Sequence, residues 1–185
     1  LGIDKVCGSV AQISSYINDN QTVIHVGQLA TFFIGSLNNQ NIERIKDFCE
    51  LCVLSGLDFR YKDNILKNIW EKFIFLSAYS GMTTMYNKTI GEIFEDEVLK
   101  VKFIKAMEET LMLAEYFEIS FIDNPIEFWL EKIRNMPYKM TSSMHEDHKK
   151  NKKLEIKWLS GFIFKSCKEF NLECNIHKEF LDKIR

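Results

Sequence analysis

Residues 68–84 read NIWEKFIFLSAYSGMTT, and a lysine, Lys72, stands at the head of a run that is otherwise almost wholly apolar. A lysine is rarely buried unless it is paired or has a chemical task. If residues 64–86 form one helix, Lys72, Leu76, Ser80 and Thr83 share a face. Small polar side chains on that face, with Gly81 permitting close approach, would line a cleft. The same pattern fits a surface lysine whose stem covers apolar neighbours. Spacing alone leaves both readings open.

Downstream of this run the periodicity stays helical. A second helix is expected over 91–117, with Ile93, Val98, Val101, Ile104, Leu111 and Leu113 toward a core, and a shorter one follows Asn124, where Pro125 suits a first turn. A polar helix over 142–150, an apolar one opening at Glu155 and a last one from Ile176 complete the set. Upstream the pattern changes to β. KVCGSVAQISSYI (5–17), QTVIHVG (21–27) and ATFFIGS (30–36) read as three strands, with Asn18-Asp19-Asn20 as a turn. NIERIKDFCELCVLSG (41–56) reads as a helix that Asn41 caps and Gly56 ends, and LDFRYKD (57–63) as an extended return. The expected fold class is α+β, with a β-rich part over 1–62 and an all-helical part over 63–185. The chain begins without Met in an apparent strand, which reads as a piece of a longer protein with an incomplete sheet.

Composition narrows the function classes. The 185 residues are 46% hydrophobic and 27% charged with a net charge of −2, which gives no electrostatic reason to expect a nucleic-acid or acidic membrane partner. The longest apolar run, Phe73 to Tyr86, is interrupted by Ser77, Ser80, Gly81, Thr83 and Thr84 and falls short of a bilayer span of roughly 20 residues. Five cysteines without a signal peptide point to a reducing, cytoplasmic setting.

A second stretch, TSSMHEDHKKNKKLEIKWLSGF (141–162), carries the remaining candidates. Ser142 and Ser143 suit a helix start with Glu146 reaching back to it, and Glu155 suits a helix opening by its charge. The lysines at 149, 150, 152 and 153 read as a solvated face, as do His145 and His148. His25 and His177 have no evident partner in the sequence. Cys49 and Cys52 have ligand-like spacing, but both lie on the apolar stripe of their helix and no second pair follows, so no metal is expected. No GxGxxG, P-loop or nucleophile elbow is present.

Taken in order, these stretches resemble the ketopantoate reductase (2-dehydropantoate 2-reductase) family. The family's Trp-x-Lys helix corresponds to Trp70-Glu71-Lys72, its Ser-Ser-Met-x-x-Asp segment to Ser142–Asp147, and its acid-led Ile-x-x-x-x-Gly helix to Glu155-Ile156 through Gly161. TIGEIFED (89–96) matches the family's Gly-Glu element, and QTVIHVGQLATFFIG (21–35) its closing strands.

The resemblance implies the later part of a two-domain oxidoreductase. A Rossmann-type domain binds NADPH, a helical domain follows it, and the active site lies in the cleft between them. The implied reaction reduces a small 2-keto acid, ketopantoate, to pantoate for pantothenate and coenzyme A synthesis. It implies Lys72 as the catalytic lysine, Ser143 as a substrate-binding hydroxyl and Glu155 as an acid that organises the site; Ser80 and Thr83, by their place on the Lys72 face, are expected as further substrate contacts. A homodimer is the expected assembly. Relatives carry asparagines where this chain has Leu76, Ser80, Ile90 and Met140, which implies an altered substrate preference, so the reductase class is expected more firmly than ketopantoate as its substrate. Two other readings remain: a helical interaction module, and a relative that has kept the fold without the catalysis.

Overall fold

The computed structural model describes residues 2 and 5–184, apart from the side chains of residues 14 and 26–29. The reading of the first residues as strand falls on residues 1, 3 and 4, outside the described ones, as does the chain end at 185. The fold is α+β, and it divides into two compact units, residues 1–69 and 70–185.

The first unit is a three-stranded sheet with one helix. β1 (Cys7–Ile17) pairs antiparallel with β2 (Val23–Ser36), and β2 pairs parallel with β3 (Asp58–Tyr61). A parallel neighbour requires a crossover, which α1 (Ile42–Leu54) supplies. The two strands expected over 21–27 and 30–36 are one. Between the pairs Ile13↔Ala30 and Ser15↔His25 the register shifts, and β2 continues through that irregularity instead of ending there. A bulge of this kind bends a strand without breaking it. Asn41 precedes α1 in a left-handed conformation (φ 56°), not in the extended one of an ordinary N-cap. Phe59 of β3 stacks on Phe32 of β2 at 4.7 Å and meets Phe48 of α1 edge-on at 5.6 Å. Cys49 and Cys52 are buried beside them, as a core position demands. Gly35 is required by closeness: a Cβ there would sit 2.2 Å from the Lys62 carbonyl oxygen.

The second unit is all-helical. α2 (Ile65–Tyr86) runs into it from residue 70, followed by α3 (Ile90–Glu95), α4 (Glu97–Tyr116), α5 (Pro125–Arg134), α6 (Ser143–Lys149), α7 (Ser160–Glu169) and α8 (Asn175–Lys183). α2 is its axis. Residues 77–84 are buried without interruption, the signature of a helix enclosed on every side. Ile74, Ala78 and Met82 join Phe103 and Met107 of α4, Trp129 and Ile133 of α5, Met144 of α6 and Phe180 of α8 in one core. The single helix expected over 91–117 is two. Asp96 leaves the helix (φ −94°, ψ 108°) and its carboxylate accepts the backbone N–H groups of Val98 and Leu99, so α4 starts afresh. Among the described residues no helix is long and apolar enough to cross a membrane.

Candidate active site

Lys72 sits in the first turn that α2 contributes to the helical unit, and its neighbours are pinned. Trp70 packs against Phe73, Phe117 and Phe162 with ring centroids 5.6, 5.6 and 6.4 Å away. The Glu71 carbonyl accepts the indole N–H of Trp129 at 2.7 Å, and Phe75 stacks on the same indole at 4.2 Å. The tryptophan of the Trp-x-Lys pattern is therefore a packing anchor for the turn that carries the lysine. Lys72 itself is half-buried. Burial holds its ammonium below the ordinary lysine pKa of 10.5, because a low-dielectric setting disfavours the charged form.

Further along α2 the expected face closes. Leu76 is partly exposed, whereas Ser80 and Thr83 have no exposure. Thr83 Oγ1 donates to the Tyr79 carbonyl at 2.7 Å and lies 2.7 Å from Ser142 Oγ. The buried hydroxyls of Tyr79, Ser80 and Thr84 find no hydrogen-bond partner among the described residues. Gly81 does not open the expected cleft; its missing side chain makes room for the ring of Phe180.

The Ser-Ser segment docks onto the far end of α2. Ser142 is the N-cap of α6 and its Oγ accepts the His145 backbone N–H at 3.1 Å. Ser143, the first helical residue, is exposed. Glu146 does not reach back to the cap; it pairs with Lys149 at 3.1 Å, since a residue four past the cap is beyond the third helical position that a capping box uses. His145 is not a surface residue. It is 1% exposed, with Nε2 2.7 Å from Asn87 Oδ1 and Nδ1 bonded to Thr141 Oγ1. Desolvation lowers its pKa. A helix of seven residues is too short to reveal a buried face by periodicity, so no sequence signal marked it.

The Gly-Glu element has a structural explanation. Thr89 and Glu92 form a reciprocal capping box, and the carboxyl pKa of Glu92 is lowered first by the Thr89 backbone N–H. Gly91 lies under Tyr138, where a Cβ would stand 2.2 Å from the ring. The backbone N–H groups of Ile90 and Gly91 donate to the carbonyls of Met140 and Tyr138 at 2.9 and 3.0 Å. Ile90 and Met140, two positions marked by the resemblance, are thus brought side by side. Glu155 does not open a helix. It is exposed and heads a turn in which its carbonyl accepts from Trp158 and Leu159, and α7 starts only at Ser160 because Leu159 (φ −92°, ψ −93°) interrupts the helical backbone.

His177 has partners that the sequence concealed. Its ring lies fully buried between α4 and α7: Nε2 is 3.0 Å from both the Ala106 carbonyl and Thr110 Oγ1, and Nδ1 is 3.1 Å from Ser160 Oγ. Ala106 O only accepts, so Nε2 carries the proton and Nδ1 accepts from Ser160. Thr110 continues the network to Ser77 at 3.1 Å. Burial lowers the His177 pKa to about 4. The signal was present: His177, Phe180 and Ile184 share the buried stripe of the last helix.

Among the described residues no group of three His, Cys, Asp or Glu side chains could hold a metal ion. The sequence of these residues holds no glycine-rich strand-to-helix turn of the kind that cradles nucleotide phosphates.

Residues 64–185 match the sequence model of the family described as "Ketopantoate reductase PanE/ApbA C terminal". A 2-dehydropantoate 2-reductase of Archaeoglobus fulgidus is 22% identical over 181 residues, covering 98% of this chain and 60% of its own. A dimeric ketopantoate reductase from Staphylococcus aureus superposes with a TM-score of 0.83 at 20% identity, covering 97% of this chain and 60% of its own. The ternary structure of D-mandelate dehydrogenase with NADH and anilino(oxo)acetate superposes at 0.87 with 15% identity, covering 98% and 60%. At these identities the structural likeness is one of fold. The chain spans 56–60% of the length of the curated relatives it matches. By the family match, it belongs to the ketopantoate reductase family of oxidoreductases.

Proposed function

We propose that this member of the ketopantoate reductase family forms the substrate side of an NADPH-dependent 2-keto acid reductase, with Lys72 at the reacting carbonyl. The observation that carries the reading is the state of Lys72: half-buried, depressed in pKa, and set in a turn whose neighbours are locked by Trp70, Trp129 and Phe75. Reduction of a ketone leaves negative charge on oxygen, and a fixed ammonium stabilises that charge and can supply the proton that makes the hydroxyl. The dinucleotide, held by a glycine-rich domain outside these residues, supplies the hydride.

The other residues serve the substrate. Ser143 presents its hydroxyl from the start of α6, and Thr83 fixes that start through Ser142. Ser80, expected as a substrate contact, is sealed in the core with its hydroxyl unpartnered among the described residues, and takes no part in this reading. Glu155 supplies a carboxylate at the mouth of α7. With Leu76, Ile90 and Met140 apolar, the pocket favours a more apolar 2-keto acid than ketopantoate, and the pantothenate role is secondary. We read the intact protein as a cytoplasmic homodimer, in line with its free cysteines and the dimeric relative. The test is NADPH and NADH oxidation by the intact protein against ketopantoate and a panel of branched and aromatic 2-keto acids. No turnover of any of them would remove the reductase reading.

A further inference from the structure

We infer that His145 is a positioning residue that sets the Ser143 hydroxyl for substrate, an inference that rests on the role given to Ser143 above. Ser143 is exposed, yet both residues flanking it are sealed: Ser142 is 2% and Met144 1% exposed. The position of its hydroxyl therefore depends on what holds residues 141–145. Two chains of hydrogen bonds converge there, and His145 takes part in both.

The direction of every hydrogen bond can be assigned. Asn87 Oδ1 only accepts, so His145 Nε2 carries the proton and donates to it. Nδ1 is then bare and accepts from the Thr141 hydroxyl. Thr83 donates to the Tyr79 carbonyl, so the Ser142 hydroxyl donates to Thr83, and Ser142 Oγ is left to accept the His145 backbone N–H. One neutral histidine thus closes two chains, His145–Ser142–Thr83–Tyr79 through its backbone and Thr141–His145–Asn87 through its ring. Both end on the last two turns of α2 or the residue after it. Asn87 meets the ring from a left-handed backbone conformation (φ 51°) where α2 stops. The serine is referenced through this clasp to the same helix that carries Lys72.

Losing the ring frees the 141–145 segment from Asn87 while leaving Lys72 and its aromatic setting intact, so the effect falls on substrate binding and not on the chemical step. In the intact enzyme, with whichever 2-keto acid of the panel is turned over, His145→Ala should raise KM roughly tenfold, the equivalent of one lost hydrogen bond, with kcat nearly unchanged. In a Ser143→Ala background the same change should raise KM no further. His145→Gln, which keeps a donor for Asn87, should recover much of the loss. Hydrogen exchange of residues 141–149 should accelerate in His145→Ala. An equal rise in KM with and without Ser143, an unchanged KM, or unchanged exchange overturns the inference. If Ser143→Ala alone leaves KM unchanged, Ser143 is not a substrate contact and the inference falls with it; accelerated exchange in His145→Ala then assigns the failure to the role of Ser143, not to the clasp.

Discussion

Phe180 of α8 packs directly on Gly81 of α2, so closely that a Cβ at position 81 would stand 2.3 Å from its ring. Both residues are buried, the ring within the main hydrophobic core. Gly81→Ala should destabilise the helical unit by about 1–3 kcal/mol, the usual range for overpacking a core. Trimming the ring in the same chain, Gly81→Ala with Phe180→Leu, should cost less than the two single changes added together. Denaturant midpoints of the four proteins measure this, and strict additivity would refute the contact.

Lys72→Ala in the intact enzyme should lower kcat by about 10²–10³, in the range seen when an acid or an oxyanion partner is removed. The pH profile gives an independent check. The donor must be protonated, so the rate should fall as pH rises through a pKa that burial has placed below 10.5. Any activity left in Lys72→Arg should lack that alkaline limb, because a guanidinium stays charged.

His177 makes stability depend on acid. Its folded pKa, about 4, lies below the ordinary 6.5, so below pH 6.5 the unfolded chain takes up a proton that the folded chain refuses. Stability should fall as pH drops from about 6.5 to about 4 and level off below that, with this residue contributing on the order of 3 kcal/mol. Urea unfolding at stepped pH should show a shallower slope in His177→Gln than in the parent.

Asp96 separates α3 from α4, and Asp96→Ala should cost about 1 kcal/mol by removing the cap shared by Val98 and Leu99. Asp96→Asn, which still accepts those bonds, should cost much less. Equal losses in thermal melts would mean that the charge and not the cap matters.

The 185-residue chain by itself should show no tight NADPH binding by fluorescence or calorimetry, since it carries no phosphate-cradling loop. Micromolar binding would mean that these residues hold the nucleotide without such a loop.

The course of α2 was legible because its apolar run, though interrupted by small polar residues, is long enough for a helix, and Lys72 stands out against that run. What escaped was set by partners distant in sequence. Thr83 and Ser142 are 59 residues apart, and nothing local says that their hydroxyls meet. The break at Asp96 was hidden because apolar periodicity carries on across it, although the acid itself is an ordinary capping residue. The continuity of β2 was hidden in the opposite sense, since a register irregularity resembles a turn in the sequence. Lys72, Ser143 and Glu155 came forward together only through the order of their motifs; no spacing rule joins residues on three separate elements.

The enclosure of α2 also bears on how this protein can diverge. Residues 77–84 touch the core on every side, so substitutions there are tested first against folding, whatever they would do for a ligand. Leu76, Met140 and Ser143 keep some exposure, and although Leu76 and Met140 also touch the core, substitutions there are tested less severely against folding than in the enclosed stretch. Selection for a new substrate would therefore act on the two ends of the helix and leave its middle unchanged. A library confined to those three positions should yield altered specificity at a higher rate of folded variants than one directed at the helix between them.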